Sequence, residues 1–137
     1  MRVLVVEDEP ALRSYLVPLL ERARYLAEAV NSGAEAVSRV LDRRPDLVLL
    51  DVGLPDISGL EVCREIRKLP GYLPVIMLTG LDAREDELRG FEVKADDYIT
   101  KPVVAETLLA RIRRVLRLAS AMGEGEQVRP GPRPADM

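Results

Sequence analysis

Leu47-Val48-Leu49-Leu50 and Val75-Ile76-Met77-Leu78 are apolar runs without polar alternation. A strand with one wet face alternates polar and apolar side chains, so these two runs, as strands, are covered on both faces at the centre of a parallel sheet. Similar short runs alternate with helix-period segments from residue 2 to about 119, the pattern of repeated βα units. The pattern predicts strands near 2–7, 25–29, 46–51, 74–79 and 97–100, and helices near 10–23, 33–43, 58–68, 83–93 and 105–119. Pro10 stands at a first helical position, and Ser32-Gly33-Ala34-Glu35 and Ser58-Gly59-Leu60-Glu61 read as capping boxes. Leu12, Leu16, Leu19 and Leu20 form one helical face, and Leu108, Leu109, Ile112, Val115 and Leu116 form another. Pro18, inside the first helix, is expected to kink it. After Leu118 the apolar period stops and Gly and Pro accumulate. A single domain over 1–119 followed by a flexible tail or linker over 120–137 is the expectation.

Four of the apolar runs end on reactive side chains. Val3 to Val6 leads to Glu7 and Asp8, Leu47 to Leu50 to Asp51, Val75 to Leu78 to Thr79, and Tyr98-Ile99-Thr100 to Lys101. In an open α/β sheet, ligands bind in the crevice outside the carboxyl ends of the strands, so parallel strands would gather these groups on one edge. Carboxylate oxygens suit a hard divalent cation, and the ammonium suits an anion. Together they describe a pocket for a metal ion and a phosphoryl group, with Asp51 as nucleophile.

Composition narrows the function further. At 137 residues, with 47% hydrophobic and 31% charged, the chain is an ordinary globular domain rather than a disordered one. A net charge of -3 with basic residues scattered among acids leaves no footprint for direct nucleic-acid binding. No apolar stretch approaches the roughly 20 residues needed to span a bilayer, so no membrane association is expected. One cysteine permits no internal disulfide, and a reducing cytoplasm is the expected address; Cys63 reads as a small core residue. There is no histidine, so this chain cannot carry a phosphohistidine, and a phosphohistidine donor must be another protein.

Val5-Val6-Glu7-Asp8-Glu9, Asp51-Val52-Gly53-Leu54-Pro55 with Gly59, Leu78-Thr79-Gly80 and Ala95-Asp96-Asp97-Tyr98-Ile99-Thr100-Lys101-Pro102 occur in that order. With these motifs the chain resembles the receiver domain of bacterial two-component response regulators over about residues 2–118, most like the OmpR/PhoB branch. The resemblance implies a doubly wound, flavodoxin/CheY-like five-stranded parallel sheet in the order 2-1-3-4-5 with five helices. It implies that Asp51 is the phosphoacceptor, assisted by Thr79 and Lys101, with a sensor histidine kinase as partner. Mg2+ would be held by Asp8, Asp51 and the backbone carbonyl of Gly53, with Glu7 acting through water. Thr79 and Tyr98 would form the switch, and a cis Lys101-Pro102 peptide is expected. The output face would comprise the helix near 83–93, the strand near 97–100 and the helix near 105–119, with Asp97 and Arg111 as its interface pair and homodimerisation through it an open expectation. Output is expected to be transcription, through an effector domain outside this chain. Such a domain is a phosphoacceptor switch without a turnover substrate. In the family, the residues two beyond the phosphoacceptor and two beyond the threonine tune hydrolysis of the aspartyl phosphate. Here they are Gly53 and Leu81, whose side chains cannot hydrogen-bond a water, so slow self-dephosphorylation is expected.

The chain departs from the pattern at Lys94, where glycine commonly ends the fourth helix, and at Glu87 and Thr107, where an Arg and a Glu often pair between subunits. One alternative is a stand-alone receiver acting by protein–protein contact. A remoter one is a phosphatase resembling the haloacid dehalogenases, but their D-x-D pattern has its second position occupied here by Gly53. A dinucleotide-binding domain fails because no G-x-G-x-x-G follows the first strand.

Overall fold

The computed structural model describes residues 1–80 and 94–128, with side chains through residue 121. The five apolar runs form strands β1 (Arg2–Val6), β2 (Leu26–Val30), β3 (Leu47–Asp51), β4 (Val75–Thr79) and β5 (Asp97–Thr100). All pairings are parallel, in the order β2-β1-β3-β4-β5. Every residue of β3 and β4 is buried, as the absence of polar alternation requires. The described helices are α1 (Pro10–Arg22), α2 (Gly33–Asp42), α3 (Gly59–Arg67) and α4 (Ala105–Val128). The helix expected at 83–93, together with Leu81 and Glu87, lies outside the described residues, as does 129–137.

The alternation of strand side chains builds two cores. Val3, Val5, Leu47, Leu49, Ile76 and Leu78 pack under α1 and α4, against Leu16, Leu20, Leu108 and Ile112. Leu4, Val6, Val48, Leu50, Val75 and Met77 pack on the opposite face with α2 and α3, against Val40, Val62, Cys63 and Ile66. A buried leucine such as Leu50 replaced by alanine costs about 2–5 kcal/mol. The burial of Cys63 pushes its thiol up to about 11, which agrees with a core role.

Several local features fill in what the sequence pattern leaves open. α1 contains Pro18 at an exposed position and ends at Arg22, within a residue of the expected end. Its end is a Schellman motif: Arg24, with φ 74, takes the left-handed position, Tyr25 N–H donates to the Leu20 carbonyl, and Arg24 N–H donates to that of Glu21. Ser32 and Ser58 cap α2 and α3 by accepting from Glu35 N–H and Leu60 N–H. Lys94 has φ 61, so a non-glycine residue takes the left-handed conformation there, and Arg67 Nε donates to its carbonyl at 2.9 Å. α4, expected to end near 119, continues to Val128. Ala119, Ala121, Met122, Glu124, Glu126 and Gln127 are good helix formers, and Gly123 and Gly125 weaken a helix by about 1 kcal/mol each without terminating it.

Candidate functional site

Because β1, β3, β4 and β5 are consecutive neighbours in the sheet, the residues at their carboxyl ends share one edge. Chain direction from β1 reverses between β2 and β3, so the crevice at β1 and β3 is a topological switch point, and Asp8 and Asp51 flank it. Glu7 and Thr79 are fully buried and Asp51 nearly so, whereas Asp8 is exposed at the rim. One oxygen from each of Glu7, Asp8 and Asp51 lies within 4.8 Å of the others. Lys101 Nζ stands 3.1 Å from Glu7 Oε1 and 3.3 Å from Asp51 Oδ1. Gly53 N–H donates to Asp51 Oδ1 at 3.2 Å, and Glu9 N–H to Glu7 Oε2 at 3.1 Å. A cleft of about 440 Å³ opens beside Lys101, between Glu9, Leu12, Gly80 and Val103.

Burial pushes the Glu7 carboxyl up to about 7; the Glu9 N–H opposes this, and the nearby Asp51 charge reinforces it. For Lys101, burial pulls downward but is outweighed by the Asp51 and Glu7 carboxylates, which hold the ammonium above its ordinary range. Two buried carboxyl groups therefore share one ammonium, and the exposed carboxyl of Asp8 stands close to both of them. One buried oxygen, Thr79 Oγ1, has no hydrogen-bond partner among the described residues, and Glu7 Oε1 meets the Lys101 ammonium at 3.1 Å. A buried hydroxyl left without a partner is costly and calls for one. The cluster of hard oxygen donors fits a divalent metal ion, and the partnerless Thr79 hydroxyl at the same sheet edge fits an anion's oxygen.

The expectations for Glu7, Asp8, Asp51, Gly53, Thr79 and Lys101 thus fall on one edge, and the Lys101-Pro102 peptide is cis. Tyr98 is half-buried on β5, its side chain against the α2/α3 core. Asp97 and Arg111 are paired within the chain: Arg111 Nη1 donates to Asp97 Oδ1 at 2.7 Å, and Arg114 Nη2 to Asp97 Oδ2 at 3.0 Å. Sequence reasoning missed Arg114 in this pair. It also missed Arg13, whose guanidinium donates to the Glu7 carbonyl at 2.8 Å, and Asp56, which caps α2 from a distant loop. Arg13 stands one turn into α1, where a side chain can reach back to the preceding loop, and that was the available signal.

A model of the response regulator receiver domain matches residues 3–113. The chain belongs to this family. This receiver domain is 40% identical over 128 residues to response regulator MprA of Mycobacterium avium, a match covering 93% of this chain and 56% of that protein. MprA of Mycobacterium leprae is 41% identical over the same length. The chain thus spans about half the length of the curated relatives it matches. Among solved structures, the BeF3-activated N-terminal receiver domain of Klebsiella pneumoniae RstA superposes with a TM-score of 0.79 at 33% identity, covering 85% of this chain and 99% of that one. A CheY-like receiver domain protein from Methanospirillum hungatei gives 0.84 at 30% identity, covering 88% and 97%. The five-stranded receiver fold in the order 2-1-3-4-5 is therefore the fold of this chain. No helix of the receiver domain's described residues is long and apolar enough to cross a membrane.

Proposed function

We propose that Asp51 accepts a phosphoryl group from the phosphohistidine of a partner sensor kinase, and that this event switches the face carrying Tyr98 and α4. The observation that supports it most is the meeting at one sheet edge of a nearly buried Asp51, Lys101 Nζ at 3.3 Å and, on the adjacent strand, the partnerless hydroxyl of Thr79. An Asp51 oxygen attacks phosphorus in line, the bond to the donor imidazole breaks, and an acyl phosphate remains. Such a transition state is loose and places charge on the equatorial oxygens, so positioning and charge neutralisation carry the catalysis. Lys101 neutralises one of those oxygens, and the Thr79 hydroxyl donates to another. Asp8, Asp51 and the Gly53 carbonyl would hold Mg2+, with Glu7 through a water. Bound there, Mg2+ supplies further charge neutralisation and orients the incoming phosphoryl group.

Drawing the Thr79 hydroxyl toward the phosphoryl group frees space that the Tyr98 ring fills by changing rotamer, one strand away. Asp97, now engaged by Arg111 and Arg114 within the chain, would exchange partners if the face forms a homodimer. We take the domain to be cytoplasmic and its output to be transcription, through an effector outside residues 1–137. Residues 120–137, helical as far as Val128, would be the connection from a receiver over 1–119. As a switch, the domain processes no turnover substrate of its own. Phosphotransfer tests the reading: label from an autophosphorylated sensor histidine kinase should pass to the wild-type chain and not to Asp51→Asn.

A further inference from the structure

Asp56 lies in the loop between β3 and α3, and its carboxylate reaches across to another helix. Oδ1 accepts from Gly33 N–H at 2.8 Å and Oδ2 from Ala34 N–H at 2.9 Å. These are among the first N–H groups of α2, which have no partner inside the helix and whose dipole favours an anion. The ordinary cap of α2 is already present, since Ser32 Oγ accepts from Glu35 N–H at 3.2 Å. Asp56 is thus a second cap, delivered from 23 residues away.

The same loop is pinned elsewhere. Gly59 N–H donates to the Val52 carbonyl at 2.9 Å, and a Cβ on Gly59 would stand 2.1 Å from the Asp51 backbone oxygen. A Cβ on Gly33 would meet Ile57 Cγ1 at 2.4 Å, so the α2 terminus is pressed against the loop. Gly53, by contrast, is exposed and has nothing among the described residues within 4 Å of a Cβ position. Besides its N–H bond to Asp51 Oδ1 at 3.2 Å, Gly53 is positioned by the anchors on either side of it in the loop.

We infer that Asp56 is a positioning residue for the site at Asp51: by clamping the loop of residues 52–58 onto the N-terminus of α2, it holds the Gly53 carbonyl in place for a divalent cation. The inference rests on the proposed metal role of Asp8, Asp51 and Gly53. Asp56 acts through the backbone and does not touch the cation.

The test titrates Mg2+ alone into the full chain by calorimetry, in wild type, Asp56→Ala, Ser32→Ala and Asp8→Asn. Asp56→Ala should bind Mg2+ about tenfold more weakly, the lower end of what supporting residues of a metal site contribute. Ser32→Ala removes the other cap of the same helix and should leave the affinity unchanged. Asp56→Asn keeps one acceptor oxygen, should fall between, and carries the test if the alanine variant does not fold. Equal weakening in Asp56→Ala and Ser32→Ala would show that only the stability of α2 matters, and would overturn the inference. So would unchanged affinity in Asp56→Ala while Asp8→Asn binds weakly, an outcome that leaves the metal site standing. Unchanged affinity in Asp8→Asn removes the metal site itself and the inference with it.

Discussion

Lys101 Nζ lies 3.3 Å from Asp51 Oδ1, although β4 separates the strands that carry the two residues. The same ammonium stands 3.1 Å from Glu7 Oε1, so one cation serves two buried carboxyl groups. A donor aimed at charge that develops in a transition state is worth about 10²–10³ in rate. Lys101→Met should therefore slow phosphorylation from a small acyl-phosphate donor by that factor. Lys101→Arg should recover little, because a planar fork does not replace a compact ammonium. An initial rate in Lys101→Met close to wild type would remove Lys101 from the chemistry.

Acid should act on Asp56. The Gly33 N–H foremost, with those of Ala34 and Ile57, lowers its carboxyl from the ordinary 3.8 to about 2. A group depressed in the folded state contributes stability above its unfolded pKa and loses it as the pH falls through the folded one. Asp56→Asn should thus unfold at a lower temperature than wild type near neutrality. The gap should close as the pH drops from 3.8 to about 2. Melting temperatures of the two proteins across that range check this, and a gap that stays constant would count against the carboxylate.

Arg24 holds the left-handed position at the end of α1 with φ 74. A side chain there costs roughly 1–2 kcal/mol, part of which returns as extra freedom of glycine in the unfolded chain. Arg24→Gly should stabilise the fold by about 0.5–1 kcal/mol, read as a higher denaturant midpoint with unchanged slope. A lower midpoint would mean that the Arg24 side chain makes a contact worth more than its strain.

The strands and their edge were legible because burial on both faces leaves an uninterrupted apolar signature, and because four such runs end on chemistry-bearing residues. The grouping of Glu7, Asp8, Asp51, Thr79 and Lys101 follows from that pattern alone. The placement of Asp56 does not. Between Pro55 and Ser58 it looks like a turn former, and its partners lie 22 and 23 residues back, a relation that only tertiary packing creates. The end of α4 at Val128 lies beyond the last apolar period because the helix formers around Gly123 and Gly125 carry the helix through both glycines. Arg114 was hidden for a similar reason: on α4 it is one of several exposed arginines, and only the approach of β5 sets it beside Asp97.

Gly53 offers a way to change the lifetime of the phosphorylated state. A Cβ there meets nothing among the described residues within 4 Å, which leaves room for a polar side chain beside Asp51. Gly53→Asn combined with Leu81→Gln should hasten loss of the phosphoryl group by giving a hydrolytic water hydrogen-bond partners. The decay in the presence of Mg2+ is the measurement. Equal decay in the double variant and wild type would show that water placement at these positions does not set the lifetime.

Phosphorylation of Asp51 itself is tested most directly by intact-mass analysis after incubation with a small acyl-phosphate donor and Mg2+. The expected result is a single added phosphoryl group that survives acid, is released by base, and is missing in Asp51→Asn. Undiminished incorporation in Asp51→Asn, or none in the folded wild type, would contradict the assignment.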